Sequence, residues 1–560
     1  MSPRARRRTL IVGGVAGGMS AATRLRRLDE SREIVVLERG DHVSFANCGL
    51  PYHVGGVIED RDDLVLQTPE SLAARFALDV RTGHEVVSVD RDRRVVTVRD
   101  RHTGRLLEEE YDELVLATGA SPLRPPIPGV ELAHALRDLV DMDAIIARLD
   151  GPDQPTSAVI VGAGFIGLEL AENLAHRGLS VTVVELADHV LPPLDVEMAA
   201  VVQSHLQLFG VRVLTGTAAA AFEADAVVLA GGERIPAGLV VLAAGVVPES
   251  ALARAAGLEL SERGGVVVDE RQRTSDPHIY AVGDVAVKRD AVSGEGVLVP
   301  LAQTANRHGR LVADAILGRP VSARPALGTA VVGVFGLTVA AVGWNERRLR
   351  EAGRPHRVIH THPQHHAGYY PGAEQMALKL LVDPDTDEIL GAQGVGRAGV
   401  DKRIDVIATA MRGGLRASEL ADLELTYAPQ YGSAKDPVAM LGMVADNLAA
   451  GLTRTVQWHE VDAEVARGAT VVDVRTPEEY AAGALPGAVN LPVDDLRERH
   501  GELSGRLLVY CAAGQRGHVA ARLLTQLGHA DVVNLDGGYR TWQPPVDLLA
   551  ASGREDSTLR

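Results

Sequence analysis

The stretch Ala158-Val159-Ile160-Val161-Gly162-Ala163-Gly164-Phe165-Ile166-Gly167 decides the fold of this chain. Four apolar residues read as a buried strand, and three glycines spaced GxGxxG turn it directly into a helix expected to run to Gly178. Gly162 permits the tight turn, Gly164 lets backbone approach a pyrophosphate, and Gly167 lets the helix lie close on the strand. A second strand, Val181 to Val184, ends in Glu185, an acid about 20 residues on that can bind ribose hydroxyls. An ordinary strand–helix turn would account for the glycines but not for the acid that closes the unit.

Toward the N-terminus the pattern recurs. Thr9 to Val12 reads as a strand, Gly13-Gly14-Val15-Ala16-Gly17-Gly18 as the turn, Met19 to Leu28 as a helix, and Ile34 to Leu37 as a strand ending in Glu38. Val15 stands where the second glycine would be, so this copy is irregular. Even so, the helix start offers N–H groups and a positive dipole end to a phosphate. Two complete units predict two dinucleotide sites, one on Gly13, Val15, Gly18 and Glu38, the other on Gly162, Gly164, Gly167 and Glu185. Three further apolar strands end in small or acidic residues: Leu114 to Leu116 before Ala117-Thr118-Gly119, Val240 to Gly245, and Ile279 to Asp284.

The whole chain sets bounds on these sites. Its 560 residues suggest three or four domains, and 46% hydrophobic residues suffice for real cores. A formal net charge of −17 disfavours nucleic acid as a partner, so an anionic ligand needs a local basic patch. No apolar stretch is long enough to span a bilayer, no metal site is assigned, and two cysteines give no disulfide framework. A cytoplasmic location is expected. The basic opening at Arg4, Arg6, Arg7 and Arg8 is read as no signal peptide, because the short apolar run after it becomes the glycine turn.

Both cysteines sit in motifs that make a thiolate useful. Cys48 lies in Ser44-Phe45-Ala46-Asn47-Cys48-Gly49-Leu50-Pro51-Tyr52, shortly after Glu38 and at the expected start of a helix, whose dipole favours a thiolate. Cys511 opens Cys511-Ala512-Ala513-Gly514-Gln515-Arg516 after the apolar run Leu507 to Tyr510. Their spacing excludes a local CxxC dithiol.

The returning strands resemble those of the pyridine nucleotide–disulfide oxidoreductases. That resemblance assigns FAD to the first nucleotide fold, with Ala117, Thr118, Gly119 and the ribityl-contacting Asp284, and NAD(P)H to the second. The SFxNCGLPY motif narrows it to coenzyme A disulfide reductases, in which one cysteine alternates between thiolate and mixed disulfide. Relatives that reduce peroxide or oxygen cycle a single cysteine through a sulfenic acid and form the alternative. The resemblance further implies that Ser20, Arg24, Arg27, Ser44, Asn47, His308 and Lys435 contact coenzyme A or its sulfur. A solvated helix face is the competing reading for the arginines, and a surface histidine for His308. Residues 326–447 look like the dimerisation domain, and Tyr369 and Tyr427 match two tyrosines that reach the active cysteine from the partner subunit. Core aromatics are the competing reading there, and Tyr370 competes with Tyr369.

Beyond an expected linker near 447–456, Val471-Val472-Asp473-Val474-Arg475, Leu485-Pro486-Gly487 and the Cys511 loop resemble a rhodanese domain. Backbone N–H groups around such a loop stabilise a thiolate or a persulfide sulfur. The six-residue loop, closed by the substrate-assigned Arg516, matches the sulfur-handling size, and Asp473 and Arg475 read as structural.

The expected architecture is therefore α/β: two Rossmann-like dinucleotide-binding domains, an α+β dimerisation domain and a C-terminal rhodanese domain. The bounds are FAD domain 1–111 and 251–325, NAD domain 112–250, dimerisation domain 326–447 and rhodanese 456–548. The expected protein is a homodimeric enzyme using FAD and NADH, with NADPH possible. It would reduce CoA disulfide, CoA persulfide or polysulfide at Cys48 while Cys511 handles sulfane sulfur. An NADH peroxidase or oxidase, or a redox-sensing scaffold, would be the alternatives.

Overall fold

The computed structural model describes the chain from Arg7 to Ser552; Arg4 and Arg6 of the basic opening, and the first residues of the expected FAD domain, lie outside it. It packs as two compact units, taken in turn: the described parts of Met1–Leu186 with Thr217–Gly328, and of Ala187–Gly216 with Thr329–Arg560.

In the first unit, Arg8–Val12 pairs in parallel with Glu33–Leu37 on one side and Glu113–Leu116 on the other, and Ile279–Ala281 joins beyond. Leu10, Ile11, Val35, Leu114 and Val115 are fully buried, as expected for parallel strands covered on both faces. Helix Ala16–Leu28 lies on this sheet beside Ala302–Ile316. A second parallel set joins Ser180–Val184, Ser157–Val161 and Leu239–Leu242. The expected boundary at 111 therefore falls one strand early. Glu113–Leu116 belongs to the first sheet because its apolar residues hydrogen-bond along Thr9 to Val12.

The second unit contains a five-stranded antiparallel sheet in the order Ala330–Val334, Leu337–Gly343, Ile389–Gly396, Met376–Val382, Arg357–Thr361. Arg357–Thr361 is its edge strand. Helix Val400–Gly413 packs on the sheet and is closed by Gly414 in the left-handed conformation. Helix Pro437–Ala449 starts with proline at its first position and with Asp436 accepting the Val438 N–H at 2.9 Å.

A parallel sheet of Thr455–Val456, Val532–Leu535, Leu507–Tyr510, Thr470–Asp473 and Val489–Asn490 completes the unit. The expected linker at 447–456 shrinks accordingly. The helix runs to Ala449, Thr455 is already in a strand, and Thr453 Oγ1 lies 2.7 Å from His518 Nδ1.

Candidate active sites

Both glycine turns have the geometry of a phosphate cradle. At Gly13 and Gly162, φ is +106° and +112°, a conformation that only glycine adopts without strain. A Cβ on Gly18 or Gly167 would fall on the carbonyl oxygen of Gly13 or Gly162, whereas one on Gly164 would meet open space. Close helix–strand approach and an open mouth thus coexist. The acids close the two turns alike: Glu38 accepts the Gly14 N–H at 2.7 Å and Glu185 the Ala163 N–H at 2.6 Å.

Asp284 sits in the turn Gly283–Val285, where burial raises its pKa against the pull of Lys288 and Arg137. Its buried Oδ1 has no hydrogen-bond partner among the described residues. An orphaned buried acceptor next to the first glycine turn fits a ligand hydroxyl, so the residues present suit FAD. Lys288, which sequence reasoning missed, is buried and donates to the Gly283 and Ala286 carbonyls at 2.5 and 2.8 Å. Burial pushes its pKa down to about 8, opposed by Asp284.

The loop carrying Cys48 is attached to the first cradle. Ser44, at φ +50°, donates its N–H to the Gly14 carbonyl at 2.8 Å, and Asn47 Nδ2 donates to the Arg137 carbonyl at 3.2 Å. Cys48 occupies the single turn Asn47–Gly49 ahead of helix Leu50–Val54, rather than starting a longer helix. The expected dipole-stabilised thiolate needs correction. Cys48 is open to solvent on one side, yet surrounding protein desolvates the thiol and, with the carboxylates of Glu169 and Asp284, pushes its pKa up. Glu169 comes from helix Phe165–His176 of the second nucleotide fold and accepts the Tyr52 hydroxyl at 3.0 Å. Its own pKa is raised, chiefly by burial.

The expected CoA contacts scatter in their local roles. Ser20 donates to Asn306 at 2.6 Å, and Arg24 forks onto Asp314 at 3.0 and 3.2 Å, so that guanidinium is already committed. Arg27 and Lys435 are exposed. His308 is no surface residue. It is 5% exposed, burial with the charges of Lys288 and Arg307 lowers its pKa to about 4, and its Nδ1 lacks a partner among the described residues.

In the second unit, Tyr369 and Tyr427 meet with hydroxyl oxygens 3.1 Å apart, and both rings are exposed rather than core. Tyr370 turns instead to the edge of His366. Cys511 follows strand Leu507–Tyr510, nearly buried, and the loop ends at Gly514, the cap of helix Gln515–Gln526. The N–H groups of Tyr539 and Arg540 donate to the carbonyls of Cys511 and Ala512 at 2.8 and 3.0 Å, which fixes the loop from behind. Arg516 forks onto Glu479 at 2.6 and 2.7 Å. Asp473 and Arg475 form a buried fork, with the Tyr510 hydroxyl donating to Asp473 at 2.6 Å.

Two nucleotide cradles flanking a cysteine define a flavin-dependent, pyridine nucleotide-linked oxidoreductase, to which a second cysteine fold is appended. Residues 7–309 match the pyridine nucleotide-disulphide oxidoreductases, 329–437 their dimerisation domain, and 457–544 the rhodanese-like domain. The chain belongs to the pyridine nucleotide-disulphide oxidoreductase family, whose members bind FAD and NAD(H), and it carries a C-terminal rhodanese domain. The coenzyme A disulfide reductase of Staphylococcus aureus (strain JH9) is 33% identical over 437 residues, spanning 78% of this chain and 99% of its own. Reduced Bacillus anthracis CoADR-RHD superposes with a TM-score of 0.95 at 45% identity, covering 97% of this chain and 99% of that one. A NAD-dependent persulfide reductase from A. fulgidus gives 0.90 at 37% identity, covering 96% and 100%. The expected family, fold class and enzymatic nature are thereby shown.

Proposed function

We propose that this protein is an NADH-dependent reductase of CoA disulfide and CoA persulfide that works as a homodimer through Cys48, with Cys511 handling sulfane sulfur. The observation that carries this reading is the single exposed cysteine fastened to the first cradle, in a chain that also holds an intact cysteine loop of rhodanese type. Likeness to a CoA disulfide reductase and a persulfide reductase supports the substrate class.

Bound FAD would supply the relay of an electron pair from NADH to the cysteine disulfide. The chain's own residues do the rest. Gly13, Val15, Gly18, Glu38 and Asp284 would hold FAD, while Gly162, Gly164, Gly167 and Glu185 would hold NADH. The Glu185 carboxylate repels a 2′-phosphate, and Leu186 and Ala187 bring no arginine, which disfavours NADPH. The Cys48 thiolate attacks one sulfur of CoA disulfide, forming Cys48–S–S–CoA and releasing one CoA thiolate. With CoA persulfide, attack on the inner sulfur releases hydrosulfide and leaves the same mixed disulfide. Two electrons from NADH then restore Cys48 and free CoA, so CoA persulfide, NADH and one proton yield CoA, hydrogen sulfide and NAD⁺. The paired hydroxyls of Tyr369 and Tyr427 would protonate a departing thiolate; family resemblance assigns them to the site of the partner subunit.

Anaerobic NADH oxidation with CoA disulfide, CoA persulfide, glutathione persulfide, polysulfide and peroxide tests the proposal. Sulfide release from CoA persulfide, abolished in Cys48→Ser while NADH still bleaches the flavin, is expected. Turnover with peroxide alone, or CoA disulfide reduction surviving in Cys48→Ser, would overturn it.

A further inference from the structure

The second unit buries an unusual concentration of charge. Lys379, fully buried on Met376–Val382, lies 2.8 Å from Asp195, 2.5 Å from Glu346, and in ion-pair contact with Glu197. Those three carboxylates converge closely enough to bind a metal ion, but the lysine ammonium fills their centre. Directly opposite Lys379 in the sheet register stands His360, on the edge strand Arg357–Thr361.

His360 bridges two carboxylates of different origin. Its Nε2 lies 3.0 Å from Glu197 on helix Val196–Leu208, and its Nδ1 lies 2.7 Å from Asp536, which follows the last strand of the rhodanese sheet. Asp536 Oδ2 also accepts the His360 main-chain N–H at 3.0 Å, so a rhodanese carboxylate satisfies a donor on a sheet edge that would otherwise stay open. Two residues on, His362 Nε2 lies 2.7 Å from the Thr541 hydroxyl. Between Asp536 and Thr541 runs the turn Gly537-Gly538, after which the Tyr539 amide holds the Cys511 carbonyl and the Arg540 amide that of Ala512, and a Cβ on Gly538 would fall on the Cys511 oxygen.

We propose that His360 is a positioning residue for sulfur handling: its Asp536 bridge, with the His362 contact beside it, fixes the Cys511 loop against the strand that leads to Tyr369. This rests on the reading that Cys511 presents sulfane sulfur to the reductase site. The rhodanese domain is thus latched to the dimerisation domain and not merely tethered by its linker. Both faces of the contact are polar, so its strength depends on charge. Burial opposes protonation of His360, yet the hydrogen bonds to Asp536 and Glu197 carry its pKa up to about 9. Lys379 and Arg540 are the cations nearby, and His362 is held neutral, its pKa lowered to about 3 by burial and by His360. An imidazolium with a raised pKa stabilises the contact fully below its unfolded value and loses that contribution as pH rises toward about 9.

The test uses the full-length, FAD-loaded protein with glutathione persulfide as donor and catalytic CoA. The Cys511-dependent rate is the part of NADH oxidation that Cys511→Ser removes. His360→Gln should lower that part by about tenfold or more and abolish its alkaline fall toward pH 9, while CoA disulfide reduction stays within about twofold. Thr541→Val, which removes only the His362 contact from the rhodanese side, should give a smaller loss of the same kind. Hydrogen exchange at the Tyr539 and Arg540 amides should accelerate in His360→Gln whether or not sulfur is relayed. Unchanged exchange and an unchanged Cys511-dependent rate would overturn the latch, as would equal loss of both activities. A wild-type protein without any Cys511-dependent rate would instead sink the relay reading, and exchange alone would then decide the latch.

Discussion

The folded chain alone works against a thiolate at Cys48. The nearest cause beyond desolvation is Glu169, and its position is informative. Glu169 lies two residues past Gly167, on the helix whose first turn would face the NADH pyrophosphate, so a carboxylate of the second nucleotide fold adds to the upward shift of a cysteine attached to the first. Replacing Glu169 with glutamine removes one negative charge and keeps an acceptor for the Tyr52 hydroxyl. The Cys48 titration should then move to lower pH, with the largest gain where Glu169 is ionised. Alkylation rate against pH in a Cys511→Ser protein, where a single thiol reports, measures this. An unmoved profile would mean that the carboxylate is screened from the sulfur and that desolvation alone sets the shift.

At the scale of elements, the two cradles look alike but are assigned to different cofactors, which makes parallel substitutions diagnostic. Gly18→Ala and Gly167→Ala each drive a Cβ onto a backbone carbonyl, and overpacking of that kind costs about 1–3 kcal/mol. The first should lower the flavin retained per chain. The second should leave flavin bound and raise KM for NADH by about tenfold or more. Flavin loss in Gly167→Ala with retention in Gly18→Ala would reverse the cofactor assignment.

These elements were readable because their signals are local: apolar runs of four, glycines at fixed offsets and an acid one strand later. The Cys48 and Cys511 loops were readable for the same reason. What the sequence withheld is carried by pairs far apart along the chain. Tyr52 meets Glu169 across 117 positions and His360 meets Asp536 across 176, and none of these side chains sits in a pattern that names its partner. Lys288 and Glu169 read as ordinary charges until folding buries them. The domain bound at 111 cuts off strand Glu113–Leu116 for a related reason, since an apolar run reveals burial but not which neighbour it pairs with.

For the whole molecule, the decisive question is whether one chain suffices. Tyr369 and Tyr427 are exposed, hydroxyl to hydroxyl, on the unit that matches the dimerisation domain of the family, while Cys48 belongs to the other unit. Two large aromatic rings left to solvent, each with its only polar group turned to the other, favour a function in an assembled dimer over a role in the core of one chain. If the tyrosine pair completes the Cys48 site of the partner subunit, defects in the two are complementary. Tyr427→Phe removes one hydroxyl of the pair and should slow acceptor reduction far more than flavin reduction, because NADH and flavin meet without it. Cys48→Ser should be inactive toward disulfides. In a co-expressed mixed dimer, the chain carrying Tyr427→Phe retains Cys48 and faces the intact tyrosines of the Cys48→Ser chain, so one of the two sites is whole. Purified through two different affinity tags, such heterodimers should recover up to about half of the wild-type CoA disulfide turnover per dimer. Recovery no greater than that of the two parental homodimers, given severe loss in each, would show that the tyrosines serve the cysteine of their own chain or none.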